Sequence, residues 1–342
     1  MKPNNIASWL ITTTIILFAL IYGQMIILPF LIAILIWFVV KKTRNLLDKN
    51  TLIQKYVPSW VKTLLASLVI FAGIFTIGKV LSSNIENLAQ SYALYAENIE
   101  VISIKINELL NINLSKEMTN FVQNFDFTSH LEQFFNSISE LLSNMIMLIF
   151  YVTFIFVEES LFEHKIKLMF TDSKQYESVQ STLKKVDKSM SSYISLKSLI
   201  SLLSTTLSYF ILLAVGIESP LFWAFLIFVL NFIPSVGPII GTLLPALFSL
   251  IQFGEFVPFL VILFGVGAVA MLIGSLVEPR LMGNTLNISP LVAILSLAIW
   301  GSIWGIVGMF LSVPITVAMI IVFSQFPSTR SIAILLSEKG RV

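Results

Sequence analysis

The 342-residue chain has no cysteine and only two histidines. Without cysteine there can be no disulfide or thiolate metal site, and the redox compartment stays undetermined. His130 and His164 lie in polar segments without the spacing of a zinc site. A phosphate-binding P-loop and a GxSxG nucleophile elbow are also missing from the sequence. We therefore expect neither an enzyme nor a bound metal or cofactor.

Charged residues are scarce as well. They make up 12% of the chain, whereas hydrophobic residues make up 56% and the mean hydropathy is +0.90. A soluble domain carries about 25% charged residues. The net charge of +2 indicates no class of partner, and no basic cluster with interleaved aromatics indicates nucleic acid. The composition predicts an all-α, polytopic membrane protein in contact with the lipid bilayer.

Apolar runs predict the membrane segments. Residues 3–40 carry no charge and suffice for two helices of about 20 residues. The turn between them is expected at Tyr22-Gly23-Gln24, with Pro29 early in the second helix. A cleaved signal peptide is the alternative for the first run, but it lacks a small-residue cleavage site and a second apolar run follows directly. Further spans are expected at 63–78, 141–157, 198–217 and 256–277.

Lysine and arginine counts predict the topology. The 41–62 loop has six basic residues and one acid, and 158–197 has seven lysines and six acids. By contrast, 80–140 has two lysines and eight acids. Because cytoplasmic loops are enriched in Lys and Arg, the first two segments are expected inside and the third outside. Both termini are then cytoplasmic, in a multi-pass protein of a bacterial inner membrane.

Two amphipathic helices are expected outside the membrane. A heptad stripe in the acidic segment packs either on its own subunit or against a second copy, and the two alternatives have equal weight. The stripe comprises Ile85, Leu88, Tyr92, Tyr95, Ile99, Ile102, Ile106 and Leu109. A second amphipathic pattern runs from Tyr176 to Tyr193. That helix either lies along an anionic membrane surface or packs against neighbours, and the second alternative is favoured.

Two apolar blocks contain helix breakers. NFIPSVGPIIG occupies 231–241 and WGSIWGIVG occupies 300–308. Proline removes a backbone donor, and freed backbone groups at membrane depth require protein or water partners. Each block therefore predicts a broken or re-entrant hairpin, which brings the total to about eight membrane segments. Opposed broken hairpins beside a central span are typical of secondary transporters with a site at the membrane midplane.

The first broken block provides one polar candidate. The Asn231 side-chain amide can both donate and accept hydrogen bonds, so it suits a polar solute. The favoured alternative is a structural bond from Asn231 to carbonyls that Pro234 leaves free. Pro234, Gly237 and Pro238 are expected to shape the hairpin rather than contact a solute.

The second block and its approach provide the charged candidates. Glu278 and Arg280 form either a functional ionisable pair or an interfacial ion pair that fixes helix register. Ser289, followed by Pro290, is either a hydrogen-bonding group or a helix N-cap. The remaining candidates are Asn284, Asn287, Trp300 and Trp304, with the tryptophans as either an interface anchor or a wall of the pathway.

Charge and hydropathy divide the chain into six segments. They are N-terminal membrane helices (1–79), an extracytoplasmic amphipathic segment (80–140), a membrane helix (141–157), a cytoplasmic amphipathic segment (158–197), a transport core with broken hairpins (198–326) and a cytoplasmic tail (327–342).

These motifs resemble the autoinducer-2 exporter family of bacterial permeases. The matching segments are NFIPSVGPIIG with Pro245, EPRLMGNTLNISPL at 278–291, the Trp-Gly pairs at 300–301 and 304–305, and GMFLSVP at 308–314. Ser235 stands where the family usually has an aromatic residue. The resemblance implies an inner-membrane exporter of a small polar metabolite that forms homo-oligomers, with a pentamer as one option. Since some members are linked to sodium–proton antiport, a cation–proton antiporter or channel is the alternative. A membrane enzyme or scaffold is a third alternative and has the least support.

Overall fold

The computed structural model describes residues 3–49, 51–91, 98, 101–102, 145–170, 172–282 and 287–340. Within these ranges the chain forms twelve α-helices and one π-helical turn, with no β-strand. The helices are α1 (Pro3–Tyr22), α2 (Gln24–Leu47), α3 (Thr51–Tyr56), α4 (Ser59–Ser91), α5 (Met145–Met169), α6 (Ser173–Val215), α7 (Pro220–Leu230), α8 (Val236–Phe253), α9 (Phe256–Leu272), α10 (Glu278–Met282), α11 (Pro290–Phe323) and α12 (Arg330–Leu336). The π-helical turn (Ile273–Val277) joins α9 to α10. This confirms the all-α prediction.

Six of these helices are long and apolar enough to cross a membrane. Helix α5 raises the number to seven if its two parts, which meet at 57°, form one span. Large apolar side chains on these helices are widely exposed, for example Leu68, Phe150 and Phe264. Exposed apolar surface on this scale identifies a lipid-facing exterior. The predicted polytopic helical membrane protein is confirmed.

The structured chain divides into two compact units. The first contains Met1–Ser67, Ser143–Ser195 and Asn284–Val342, and the second contains Leu68–Leu142 and Leu196–Gly283. These units follow contacts in space, whereas the six sequence segments follow charge and hydropathy. The boundaries of those segments remain a prediction.

In the first unit, α1 and α2 form the expected hairpin. Gly23 separates the two helices, and its N–H donates to the Ala19 carbonyl at 2.8 Å. A β-carbon on Gly23 would lie 2.5 Å from that carbonyl oxygen, so the turn requires glycine. Pro29 lies inside α2 near its start, as predicted.

A network of ion pairs links α2, α5 and α6 in the first unit. Lys41 Nζ lies 2.9 Å from Asp187 Oδ1 and 3.8 Å from Glu159 Oε1. Arg44 Nη2 reaches the same Glu159 oxygen at 3.3 Å, and Trp37 Nε1 donates to Glu159 Oε2 at 3.0 Å. Lys41 and Arg44 belong to the 41–62 segment, and their partners belong to 158–197. The network supports a common membrane side for the two lysine-rich segments.

Helix α6 differs from the prediction. The sequence indicated an amphipathic helix near 176–193 and a separate span from 198, but α6 is one helix of 43 residues. Neither glycine nor proline occurs between Ser173 and Val215, so nothing in the sequence interrupts it. Met190 and Tyr193 are buried, which favours the packed alternative over a helix lying on a membrane surface.

In the second unit, α8 packs between α7 and α9. A β-carbon on Gly267 of α9 would lie 3.6 Å from the Thr242 methyl of α8, which is ordinary contact. Asn98 donates its side-chain amide to the carbonyls of Ile251 and Gln252 at the end of α8. These are carbonyls that a helix C-terminus leaves without a helical partner. In the heptad stripe at 85–109, Ile85 and Leu88 lie in the last turns of α4 and Ile102 is buried, whereas the other five positions lie outside the described residues. The stripe as a whole remains a prediction.

The predicted topology can be tested with single cysteines, because the parent chain has none. Ser83 and Ser181 are both exposed. In intact cells, a membrane-impermeant maleimide should label Ser83→Cys, whereas Ser181→Cys should react only after permeabilisation. This follows from the acidic character of the 80–140 segment and the basic character of 158–197. The cysteine-free parent is the control, and the reverse labelling pattern would invert the topology.

Candidate transport site

Helices α7 and α8 form a hairpin whose arms stay together over their whole length. At the open end, Gln252 accepts from the Glu218 N–H at 2.7 Å and donates to the Gly216 carbonyl at 3.1 Å. Further in, a β-carbon on Gly241 would lie 3.5 Å from the Ile227 Cα. These contacts are antiparallel and centre the hairpin on the residues around Ser235.

The hairpin is deep. Counted from Gln252 to Ser235, its second arm rises about 25 Å at 1.5 Å per residue. The hydrocarbon core of a bilayer is about 30 Å thick. The tip is therefore expected near the far side of the bilayer, whereas the sequence pattern indicated a midplane site.

The tip contains a strained turn. The Val236 N–H donates to the Pro234 carbonyl at 2.6 Å, and Ser235 between them has φ 61° and ψ −47°. This is a γ-turn of the rare positive-φ type. A serine in this conformation costs about 1–3 kcal/mol, and such strain is concentrated at functional sites. A small residue such as serine fits this turn better than an aromatic residue does.

Glycine closes the hairpin just below this turn. A β-carbon on Gly237 would lie only 1.7 Å from the Leu230 carbonyl oxygen. The two arms can therefore approach this closely only because residue 237 has no side chain. Gly237 and Pro234 shape the hairpin, as the sequence indicated, and Pro238 lies in the first turn of α8.

Asn231 lies at the end of α7, next to the break. Its residue exposure is 7%, and its side-chain amide is not among the fully buried groups of the described residues that lack a partner. Among the described residues no structural bond from the Asn231 side chain is seen, and its role stays a prediction. A side-chain amide at this break can both donate to and accept from a polar partner.

Glu278 forms an ion pair that the sequence did not predict. Its Oε1 lies 2.5 Å from Lys197 Nζ of α6, and the two side chains are 29% and 7% exposed. Arg280 is exposed and has no ion-pair partner within the described ranges. The expected pairing of Glu278 with Arg280 is therefore wrong, because helical residues two apart point in different directions.

A π-helical turn positions Glu278. The turn covers Ile273–Val277, and the Glu278 N–H donates to the Ile273 carbonyl five residues earlier. Pro279 explains the wider turn, because a proline ring clashes with the carbonyl four residues before it. Such π-turns are frequent at functional sites.

The first unit contains the second hairpin, formed by the two parts of α11. Helical geometry breaks at Trp304 (φ −128°, ψ 16°) and Gly305 (φ 60°, ψ −142°). A β-carbon on Gly308 would lie 1.9 Å from the Trp300 carbonyl oxygen, which repeats the contact of Gly237 in the first hairpin. The first arm, from Pro290 to Trp304, rises about 21 Å.

The two tryptophans stack at this second tip. Their ring centroids are 5.0 Å apart. Trp304 is buried, and its Nε1 donates to the Leu20 carbonyl at 3.0 Å, in the last turn of α1. This bond satisfies a carbonyl that the end of α1 leaves free. Trp304 is thus an anchor between helices, and a role in the pathway remains a proposal for Trp300.

The approach to the second hairpin is partly described. Ser289 precedes Pro290 at the N-cap position, as predicted, but its side chain makes no capping bond. Instead, its N–H donates to the Leu336 carbonyl of α12 at 3.1 Å. Asn287 has a left-handed φ of 42°, and Asn284 is not among the described residues.

Sequence reasoning missed Lys197 and the hydroxyl residues that follow it on α6. Lys197 is the only charged residue between Lys188 and Glu218, and Ser201 and Ser208 follow it at helical spacing. That pattern could have indicated a polar face inside the membrane. Across the described ranges, no group of three His, Asp or Glu side chains is placed to hold a metal ion.

Comparison with known proteins places the chain in a family. A model of the AI-2E family of transporters matches residues 8–328. The AI-2 transport protein TqsA of Escherichia coli K12 is 28% identical over 336 residues, covering 96% of this chain and 94% of TqsA. A Haemophilus influenzae protein provisionally named as a transport protein is 28% identical over 324 residues, covering 92% and 90%. The chain therefore belongs to the AI-2E family of transporters and is a multi-pass membrane protein.

Proposed function

We propose that the protein is a secondary transporter that exports a small polar metabolite from a bacterial cell. The observation that carries this proposal is the position of the Asn231 side-chain amide, which lies beside a strained turn at the break of the first hairpin. An amide that donates and accepts suits a solute with hydroxyl or carbonyl groups.

The relatives favour the same class of solute. TqsA is named as a transport protein for AI-2, and it aligns with nearly the whole chain. At 28% identity, this supports a related solute, and we propose a furanose-like molecule as the first to test. The direction of export is part of the proposal.

A cation–proton antiporter is the second candidate, and Glu278 is the residue that favours it. Glu278 is a half-buried carboxylate that could bind a proton or a cation. However, Lys197 already compensates its charge at 2.5 Å, so a cation would have to displace that ammonium group. This competition makes the polar-metabolite proposal the stronger one.

We further propose that the protein lies in the inner membrane with both termini in the cytoplasm. The charge asymmetry of the loops supports this orientation. A homo-oligomer, with a pentamer as the first model to test, is also proposed. It rests on the heptad stripe at 85–109, which is long enough for a subunit contact.

Replacing Asn231 by leucine tests the proposed function. In proteoliposomes, Asn231→Leu should lower the flux of a radiolabelled furanose about tenfold, since two hydrogen bonds to the solute are lost. Its melting temperature in mild detergent should not fall, because leucine has a similar shape and no hydrogen bond seen among the described residues is lost. Flux is measured against an imposed proton or sodium gradient.

Gln252→Leu is the matched control. Gln252 carries a side-chain amide on the same hairpin, but both its ends are hydrogen-bonded. This variant should melt at a lower temperature than wild type. If Asn231→Leu transported normally, the proposed role of Asn231 would be wrong. If wild type moved only protons and cations, the antiporter would replace the exporter.

A further inference from the structure

One face of α6 is polar and buried within the second unit. Lys197, Ser201, Ser204 and Ser208 follow one another at spacings of four, three and four residues, and all four are buried. This spacing places them along one side of a helix. The opposite side is exposed and apolar. It comprises Leu199, Leu202, Leu203, Leu207, Phe210 and Leu213.

Three hydroxyl groups on or beside this face have no hydrogen-bond partner among the residues that the structure describes. They belong to Ser201, Thr205 and Ser208, and each oxygen is buried. Serine and threonine in helices usually donate to a carbonyl of the preceding turn. Thr206, the next residue, does so by donating to Leu202 at 2.7 Å. These three residues therefore do more than allow close helix packing, because their hydroxyls are buried without the hydrogen bonds that buried polar groups normally make.

Two contacts show that this face is directed towards α9 and its continuation. Lys197 pairs with Glu278, and a β-carbon on Gly265 would lie 3.2 Å from Ile211 Cγ2. Lys197 and Ile211 are 14 residues apart and point within about 40° of one another. Ser204 and Ser208 lie between them on the same side of the helix.

This face of α6 is closed in the structure, because the side-chain oxygens of Ser201, Thr205 and Ser208 are all buried. Ala268 of α9 and Gly274 of the π-helical turn are exposed, so their open surroundings are not a space beside these hydroxyls. A solute would therefore reach the hydroxyls only when α6 and α9 separate.

Depth along the helices relates this face to Asn231. Gly216 and Gln252 are hydrogen-bonded at one end of the unit. From Gly216, Ser201 lies about 22 Å down α6. From Glu218, which also bonds Gln252, Asn231 lies about 20 Å down α7. The Asn231 amide and the Ser201 hydroxyl therefore lie at nearly the same depth.

We propose that the α6–α9 seam, defined by Ser208, Thr205, Ser201 and the Lys197–Glu278 pair, is the pathway for a small, neutral, polyhydroxylated solute. The proposal rests on the transport function proposed above and identifies a surface for it. Each free hydroxyl can donate to and accept from a hydroxyl of the solute. A solute moving along the seam would exchange one hydroxyl partner for the next.

The ion pair selects the charge of the solute. An anion at Lys197 would have to displace Glu278, and a cation at Glu278 would have to displace Lys197. Either exchange would leave a partly buried charge without its partner, which is strongly unfavourable. A neutral polyol can hydrogen-bond to both groups while the pair remains intact.

Thiol labelling of single cysteines tests whether the seam admits water-soluble molecules. The variants are Ser201→Cys and Ser208→Cys, with Ser249→Cys as the matched control. Ser249 is equally buried in the same unit, but its hydroxyl donates to the Ala246 carbonyl at 2.6 Å. A small neutral methanethiosulfonate should modify the two seam variants at least about tenfold faster than the control. Ribose, as the probe solute, should slow that reaction.

A pair of adjacent threonines provides the functional test. Thr205→Val removes an unpartnered hydroxyl, so it should raise the melting temperature and lower ribose flux about fivefold. Thr206→Val removes a hydroxyl that is bonded to its own helix, so it should leave flux unchanged. If the Thr205 hydroxyl were only structural, its removal would not raise the melting temperature and lower the ribose flux at the same time.

The outcomes separate the two proposals. Equal labelling of Ser201→Cys and Ser249→Cys, or unchanged flux in Thr205→Val, would overturn the seam even if wild type transports ribose. A drop in both stability and flux in Thr205→Val would also overturn it, by assigning the hydroxyl to packing. Rapid labelling without any wild-type flux of neutral polar solutes would overturn the proposed function and the solute class.

Discussion

Glu278→Ala is expected to destabilise the protein by about 3 kcal/mol, because it leaves the buried ammonium group of Lys197 without its partner. Lys197 has a side-chain exposure of 7%, so water can do little to stabilise its ammonium charge once the carboxylate is removed. A loss of about 3 kcal/mol lies at the lower end of the range for removing one partner of a buried ion pair, because Glu278 itself is 29% exposed. Chemical unfolding in mild detergent measures the loss.

Lys197→Met should have a smaller effect than Glu278→Ala. It keeps the packing of the long side chain and leaves a carboxylate that water already reaches. A double variant, Lys197→Met with Glu278→Ala, should recover much of the stability, because no unpaired charge remains. Arg280→Ala is the control and should change stability by less than about 0.5 kcal/mol, as for other exposed positions. A larger effect of Arg280→Ala than of Glu278→Ala would contradict the observed pairing.

Gly237→Ala is expected to open the first hairpin. The added methyl group would lie 1.7 Å from the Leu230 carbonyl oxygen, so the two arms must separate. Overpacking against backbone should cost about 3 kcal/mol, and transport should be lost with the tip geometry. Gly308→Ala should have the same effect on the second hairpin, where the distance to the Trp300 carbonyl is 1.9 Å. Melting temperature and flux are both measured.

Each hairpin contains its own control glycine. Gly241→Ala adds a methyl group at 3.5 Å from Ile227, which is ordinary contact. Gly301→Ala meets only the flexible side chain of Met309, which can move away. Both variants should keep most of their stability. If Gly241→Ala were as damaging as Gly237→Ala, glycine content in general, and not the close approach of the arms, would explain the effect.

Long uncharged runs made the membrane helices predictable. The turn at Gly23 and the breaks near Pro234 and Gly305 were visible for the same reason, since glycine and proline disrupt helices locally. The length of α6 was not anticipated. Charge changes sharply near Lys197, and this change was interpreted as a boundary, although a helix ends only where its backbone is interrupted.

The partners of the candidate residues could not be predicted. Glu278 and Lys197 are 81 residues apart in sequence, and their pairing depends on how α6 lies against α9. Arg280 was a closer charge in sequence, but closeness in sequence does not place two helical side chains on one face. Likewise, Asn231 was recognisable as a polar residue at a break, whereas its low exposure depends on the packed structure.

The depth of the two hairpins has a consequence for the surrounding lipid. At about 25 Å and about 21 Å, both are shorter than a hydrocarbon layer of about 30 Å. Lipids beside such short elements thin locally, at a cost of fractions of a kcal/mol per Å of mismatch. A polar solute would then cross a narrower low-dielectric barrier than the undisturbed bilayer presents. Acyl-chain length should therefore influence the transport rate of this protein, with thick bilayers opposing the conformation in which the hairpin tips are closest to water.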